Sequence, residues 1–298
     1  MVTILDGGMG RELKRIGAPF RQPEWSALAL IEAPERVAEV HRAFAEAGAR
    51  VITTNSYALV PFHIGEQRFN AEGEALADRA GALARGVADE AAGAIRVAGS
   101  LPPTCGSYRP DLFEPAVARA TLAPLVAGLA HHVDLWLGET LSTVAEVEAV
   151  AEVLGSDPRP RWFSFTLADE DVAPGDPPRL RSGEPVEAGV AAALAAGAEA
   201  VLFNCSQPEV MEAAVRAAQA EAGRHGAALR VGVYANAFPP QKAEATANET
   251  ILPLRADLDP PGYLGWARRW RAAGAEIIGG CCGIGPEHIA ALADDMGK

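Results

Sequence analysis

Eight short apolar runs, each followed by a stretch with helical spacing, constrain this chain more tightly than any other feature. The runs fall at 2–6, 50–55, 95–100, 133–139, 161–167, 199–204, 230–235 and 275–280, and the helical stretches at 35–47, 70–91, 115–131, 143–154, 187–196, 208–224, 262–273 and 286–296. Short runs rich in Val, Ile and Leu suit buried strands, and apolar residues three and four apart suit helices packed on them. Pro34, Pro115, Pro208 and Pro286 stand at or near the first turn of four of these helices, where a missing N–H costs nothing. Strand–helix alternation implies a parallel sheet with helices outside, and eight repeats close that sheet. The expectation is an α/β chain: a (β/α)8 TIM barrel, with residues 1–298 as a single domain. An open doubly wound sheet would carry a G-x-G-x-x-G turn after its first strand, and Gly7-Gly8-Met9-Gly10 lacks that spacing.

Composition narrows what such a barrel could do. Apolar residues make up 49% of the 298, enough to fill a large core, while the formal net charge is −13. No cluster of Lys or Arg stands out, which argues against nucleic acid, and an acidic surface favours cationic over phosphorylated small molecules. No apolar stretch is long enough for a membrane span. Asp6 interrupts the opening too early for a secretory leader, so a cytoplasmic protein is expected. Nothing in the sequence specifies a homo-oligomer or excludes one. Two irregular segments, 169–185 and 238–261, leave strand C-termini, the active face of such barrels; the first reads as a long, partly mobile loop.

The four cysteines carry the chemistry. Cys205 directly follows the sixth apolar run, and Cys281-Cys282 directly follow the eighth. All strand C-termini of a parallel barrel lie at one end, so the three thiols converge on one mouth. Neighbours on a regular strand point to opposite faces, which would split the vicinal pair. Gly279, Gly280 and Gly283 flank it and let the chain kink so that both sulfurs turn inward. Adjacent cysteines rarely bond each other, and without an export signal a metal or catalytic role is the better reading. Three thiolates leave one corner of a tetrahedron open, the catalytic arrangement, and soft sulfur selects zinc. With its charge already outweighed by three thiolates, such a centre is a poor Lewis acid for hydrolysis but well suited to activating a substrate thiol. The plain alternative, three buried cysteines packing as small hydrophobes, does not explain the glycines around the pair. Cys105, in the loop Pro102-Pro103-Thr104-Cys105-Gly106, is assigned no role.

These residues resemble the homocysteine S-methyltransferase family. Asn204-Cys205 and Gly279-Gly280-Cys281-Cys282-Gly283 carry the resemblance most specifically. Leu5-Asp6-Gly7-Gly8-Met9-Gly10, Val51-Ile52-Thr53-Thr54-Asn55-Ser56-Tyr57, Gly138-Glu139-Thr140-Leu141, Ser164-Phe165-Thr166 and Ser182-Gly183-Glu184-Pro185 follow in the right order over nearly the whole chain. The resemblance implies methyl transfer to the thiol of L-homocysteine, giving methionine. The donor it implies is a small cationic sulfonium or betaine, S-methylmethionine or S-adenosylmethionine foremost. It makes Cys205, Cys281 and Cys282 the Zn2+ ligands, and Asp6, Glu139 and the backbone at Gly7 and Gly8 the binders of the amino acid.

The residues themselves agree for the two acids. Asp6 and Glu139 each end an apolar run at the mouth, where a carboxylate is costly unless it meets a cation such as an ammonium group. Asp6 has a structural alternative, capping a helix after Gly7. Thr54, Asn55, Tyr57, Asn204 and Asn236 also stand at strand ends and are candidates to line the donor site, Tyr57 through its ring face. The chain departs from the family pattern at Arg11, where threonine is usual, over 58–65, and at Ala235, where proline is usual. Rival readings are a hydrolase using zinc-bound water, which would want histidine ligands, and a non-catalytic zinc or redox sensor. A methyltransferase acting on another thiol, or with a corrinoid partner, is a further alternative.

Overall fold

The apolar runs become strands where the sequence places them. They are β1 (Thr3–Ile4), β2 (Val51–Thr53), β3 (Arg96–Leu101), β4 (Leu135–Leu141), β5 (Arg161–Thr166), β6 (Ala198–Asn204), β7 (Arg230–Tyr234) and β8 (Ile277–Ile278). All pairings are parallel, in the order β1-β8-β7-β6-β5-β4-β3-β2. Leu5 bridges Val51 across the remaining gap, with the Arg50 amide donating to the Ile4 carbonyl at 2.8 Å and that of Asp6 to Val51 at 3.1 Å. The sheet thus closes into the expected (β/α)8 TIM barrel. This computed structural model describes residues 1–173, 175–239 and 253–297. Residues 240–252, within the irregular segment read at 238–261, and residue 174, within 169–185, lie outside them.

Eleven helices surround the sheet among the described residues: α1 (Met9–Arg15), α2 (Ser26–Glu32), α3 (Pro34–Glu46), α4 (Pro61–Ile64), α5 (Glu66–Glu90), α6 (Pro115–Leu129), α7 (Val144–Leu154), α8 (Val186–Ala195), α9 (Pro208–Arg224), α10 (Pro260–Ala273) and α11 (Pro286–Met296). Pro34, Pro115, Pro208 and Pro286 each open a helix, as their positions imply. The short helices α1, α2 and α4 are additional to the eight read from periodicity. None of the described helices is long and apolar enough to cross a membrane.

Strand alternation sorts side chains into two cores. Leu5, Val51, Ala98, Leu135, Leu137, Trp162, Ala200, Leu202 and Ile277 fill the barrel interior. Their neighbours Ile4, Ile52, Val97, Trp136, Phe163, Val201 and Ile278 face the helices. Two residues further along several strands the inward position turns polar: Val51 gives way to Thr53, Ala98 to Ser100, Leu137 to Glu139, and Leu202 to Asn204. The barrel is therefore packed with hydrocarbon below and floored with hydrogen-bonding groups at its mouth.

The segment read as a partly mobile loop is tied down over its return. Leu180 pairs antiparallel with Leu167, and the amides of Arg181 and Ser182 donate to Thr166 at 3.0 Å and Ser142 at 3.1 Å. Those bonds carry Arg181 back to the mouth.

Candidate active site

The vicinal cysteines lie beyond β8, in a turn rather than on the strand. The Ile284 amide donates to the Cys281 carbonyl at 3.0 Å, and Gly283 has φ +87°, which makes residues 281–284 a type II β-turn. Only glycine takes that third position without strain. The turn is pinned on both sides, the Cys281 amide donating to Ala235 and the Ala237 amide to Cys282, each at 2.9 Å. Cys281 packs against the inner core and Cys282 against the outer one. Gly8 fits beneath this turn: a Cβ there would lie 2.5 Å from the Cys281 carbonyl oxygen, and one on Gly7 would lie 2.3 Å from that of Ile284.

Cys205 comes to meet the pair from the end of β6, near enough for its thiol and those of Cys281 and Cys282 to shift one another's ionisation. It is 8% exposed and has φ +50°, a backbone state that costs a non-glycine residue about 1–3 kcal/mol. Thr140, at the end of β4, shares that state with φ +59°. Donors aim at the Cys205 sulfur from two sides: Asn204 Nδ2 at 3.4 Å and Thr140 Oγ1 at 3.7 Å. Asn204 is itself fixed by Ser164 at 2.7 Å and by its bond to Thr140 at 2.8 Å.

These contacts order the ionisation of the trio. Hydrogen bonds from Cys205 and Cys281 hold the Cys282 thiol well below the ordinary thiol range, and the charge of Arg11 adds to this. Hydrogen bonds to its two partners, then burial, push Cys281 well up. Cys205 is pushed up on balance: the hydrogen bond from Cys281 favours its thiolate but is outweighed by its bond to Cys282, burial and nearby negative charge. The trio thus holds one negative charge readily, and a second or third requires a cation. No disulfide links these cysteines. Among the described residues no group of three or more His, Cys, Asp or Glu side chains already has the spacing of a finished metal site. The donor set nonetheless fits a soft divalent ion: three sulfurs, outer donors on one of them, and a local charge that invites compensation.

The two acids stand beside this cluster. Asp6 is 7% exposed and accepts the Thr53 amide at 2.7 Å and the Thr53 hydroxyl at 3.2 Å. Helix α1 starts after Gly8 without a side-chain cap, so Asp6 does not cap it. Glu139 accepts from Ser100 at 2.5 Å and from the Tyr234 hydroxyl at 3.4 Å. Burial pushes each pKa up to about 7, and the charge of Glu139 adds to the rise at Asp6. Among the described residues neither meets an arginine or lysine. Glu146 is also raised to about 7 by burial, but its carboxylate is spent on the Ser142 and Thr143 amides at the start of α7.

Of the remaining candidates, Asn204 joins the cluster, and the Tyr57 hydroxyl bonds that of Ser107. Thr54 instead bonds Ser56 at 2.9 Å and the Ser100 amide at 3.0 Å, and Asn55 bonds the Ser26 carbonyl at 3.1 Å. Asn236 turns back on the Phe238 amide at 3.1 Å. These three brace loops. Sequence reasoning passed over Thr140, Ser100 and Tyr234 as site residues. Counting by twos along each strand from its inward apolar residues finds Ser100 and Tyr234, but no such count finds Thr140. The histidines take no part: His41 is buried on α3, and His63 and His288 bond backbone carbonyls.

The homocysteine S-methyltransferase family model matches residues 3–296. The chain is 36% identical to the homocysteine S-methyltransferase of Escherichia coli (strain K12), over 98% of this chain and 94% of that one. It is 28% identical to homocysteine S-methyltransferase 1 of Zea mays, over 97% and 93% of the two chains. The crystal structure of the homocysteine methyltransferase MmuM from Escherichia coli in its metallated form superimposes with a TM-score of 0.77 and 32% identity, covering 98% of this chain and 96% of that one. From the barrel, the matched length and these relatives, the chain belongs to the homocysteine S-methyltransferase family.

Proposed function

We propose that this enzyme holds Zn2+ with Cys205, Cys281 and Cys282, and methylates L-homocysteine to methionine from a small cationic donor, S-methylmethionine or S-adenosylmethionine foremost. The observation that carries the reading is the meeting of three thiols from two distant strand ends beside a buried and a half-buried carboxylate that meet no cation among the described residues. Zinc held there supplies thiol activation at neutral pH, where a thiol of pKa about 8.5 is only slightly ionised.

The chain's own groups do the rest. Asp6 and Glu139 bind the ammonium end of the amino acid, and its positive charge keeps both ionised. Gly7 and Gly8 let the backbone of the first loop approach the cysteine turn. Asn204 and Thr140 donate to Cys205 and stabilise negative charge on its sulfur. The Tyr57 ring offers a face to the cationic donor, with Thr54 and Asn236 bracing the loops around it. The acceptor sulfur then attacks the donor's methyl carbon in line with the leaving sulfur or nitrogen. The nucleophile's negative charge and the donor's positive charge cancel, so a dry pocket favours the transition state, and alignment supplies much of the remaining acceleration. Thiols that must stay reduced suit the cytoplasm, which is our assignment for the protein.

The test is metal content and methionine formation with each donor in turn, for the native protein and Cys281→Ala. We expect zinc in the native enzyme, turnover with one donor class, and loss of metal and turnover together in the variant. Full turnover by Cys281→Ala or by exhaustively chelated enzyme overturns the reading.

A further inference from the structure

Five non-glycine residues among those described have a left-handed backbone, and two of them, Tyr108 and Thr140, hydrogen bond to a third, Cys205. Thr140 reaches the Cys205 sulfur, whereas the Tyr108 hydroxyl donates to the Cys205 carbonyl at 3.1 Å. Tyr108 is 7% exposed, with φ +67°, in the loop after β3. The guanidinium of Arg181, from the loop after β5, lies over its ring at 4.8 Å. Arg181 pairs with Asp169 at 3.0 Å, with side chains only 4% and 1% exposed. The other oxygen of Asp169 accepts the Gln207 amide at 3.1 Å. One unit therefore grips the strained segment twice: at the carbonyl of Cys205 through Tyr108, and at the amide two residues later through Asp169.

We propose that Tyr108, backed by the Arg181–Asp169 pair, is a positioning residue that keeps Cys205 in its left-handed conformation and its sulfur aimed at Cys281 and Cys282. The proposal rests on the zinc reading. A left-handed cysteine relaxes toward the ordinary regions of backbone space unless its flanking peptides are held, and such relaxation swings the Cα–Cβ bond. The phenol is suited to the task because its hydroxyl, once buried, needs an acceptor, and its ring takes the face of a guanidinium. Tyr108 touches no reacting atom; it acts through Cys205.

The experiment compares Tyr108→Phe and Arg181→Met with the native chain and with Cys205→Ser. Zinc affinity is read by competition with a chromophoric chelator, the thiolate-to-cobalt absorption at saturating Co2+, and melting temperature alongside. We expect both variants to bind zinc about tenfold more weakly and to lose part of the cobalt band, shifting toward the spectrum of Cys205→Ser. A lower melting temperature with metal affinity and cobalt band unchanged makes the unit a structural brace and overturns the proposal. Should Arg181→Met fail to fold, Tyr108→Phe, which removes one oxygen atom, decides alone. Native affinity in Cys205→Ser overturns the zinc reading, and the proposal with it; loss in Cys205→Ser alone overturns only the proposal.

Discussion

The two ends of the barrel handle buried polarity in opposite ways. At the bottom, Trp162 is 1% exposed; its indole N–H donates to Glu199 at 3.0 Å, and the guanidiniums of Arg96 and Arg230 lie over its ring at 5.4 and 5.9 Å. Arg96 also pairs with Glu199 at 3.7 Å, and Arg230 donates to Thr3 at 2.7 Å. The carboxylate there has a cation beside it. At the mouth, Asp6 and Glu139 have neutral donors, no cation among the described residues, and a thiol cluster that adds negative charge. A fold that gives its carboxylate a cation at one end and leaves its carboxylates without one at the other has reserved the second end for something it binds.

The largest effect that separates the ends is Trp162→Ala. It should cost about 3–5 kcal/mol of stability, read by denaturant unfolding, while homocysteine affinity by calorimetry stays native in protein that remains folded. A large fall in affinity would break the division between ends. Next comes Glu139→Gln, which keeps the shape and the bond from Ser100 but removes the charge. It should weaken homocysteine binding by about 1.5–3 kcal/mol, while an acceptor thiol lacking the amino group binds native enzyme and variant alike; equal losses for both would remove Glu139 from ammonium recognition.

The smallest effect is a pH dependence of stability in the same variant. Glu139 ionises near 4.5 in the unfolded chain and near about 7 in the folded one, because burial opposes its charge. The folded state therefore holds the extra proton between these values, and native stability falls as pH rises through that window. Glu139→Gln cannot ionise, so it should melt with the native protein at pH 4 and above it at pH 8. The difference should be about 1–2 kcal/mol, since water screens a partly exposed group. Identical melting at both pH values would mean that the mouth tolerates this charge as well as the bottom does.

Much of this organisation is legible in the order of the amino acids. The apolar runs form strands because each is too short for a helix and stands between stretches of helical spacing, and four prolines mark four helix starts. What periodicity does not reveal are α1, α2 and α4, helices of seven, seven and four residues, too short to display an amphipathic repeat. The three cysteines are legible because strand ends and flanking glycines are local features. Thr140 and Tyr108 are not. Their roles depend on positive φ at non-glycine residues, a state imposed by long-range packing. Thr54 and Asn236 occupy the right height in the barrel, but their side chains are taken up by neighbouring backbone and hydroxyl groups, a competition invisible in one dimension.

The seam between β1 and β8, only Thr3–Ile277 and Ile4–Ile278 wide, bears on how the molecule is made. A growing polypeptide on the ribosome exposes raw strand edges at β1 and β7 until residue 278 has emerged, and the same few residues of elongation deliver the vicinal thiols. Closure and assembly of the cysteine trio thus share a deadline, and a nascent chain stalled short of it would be both sticky and inert.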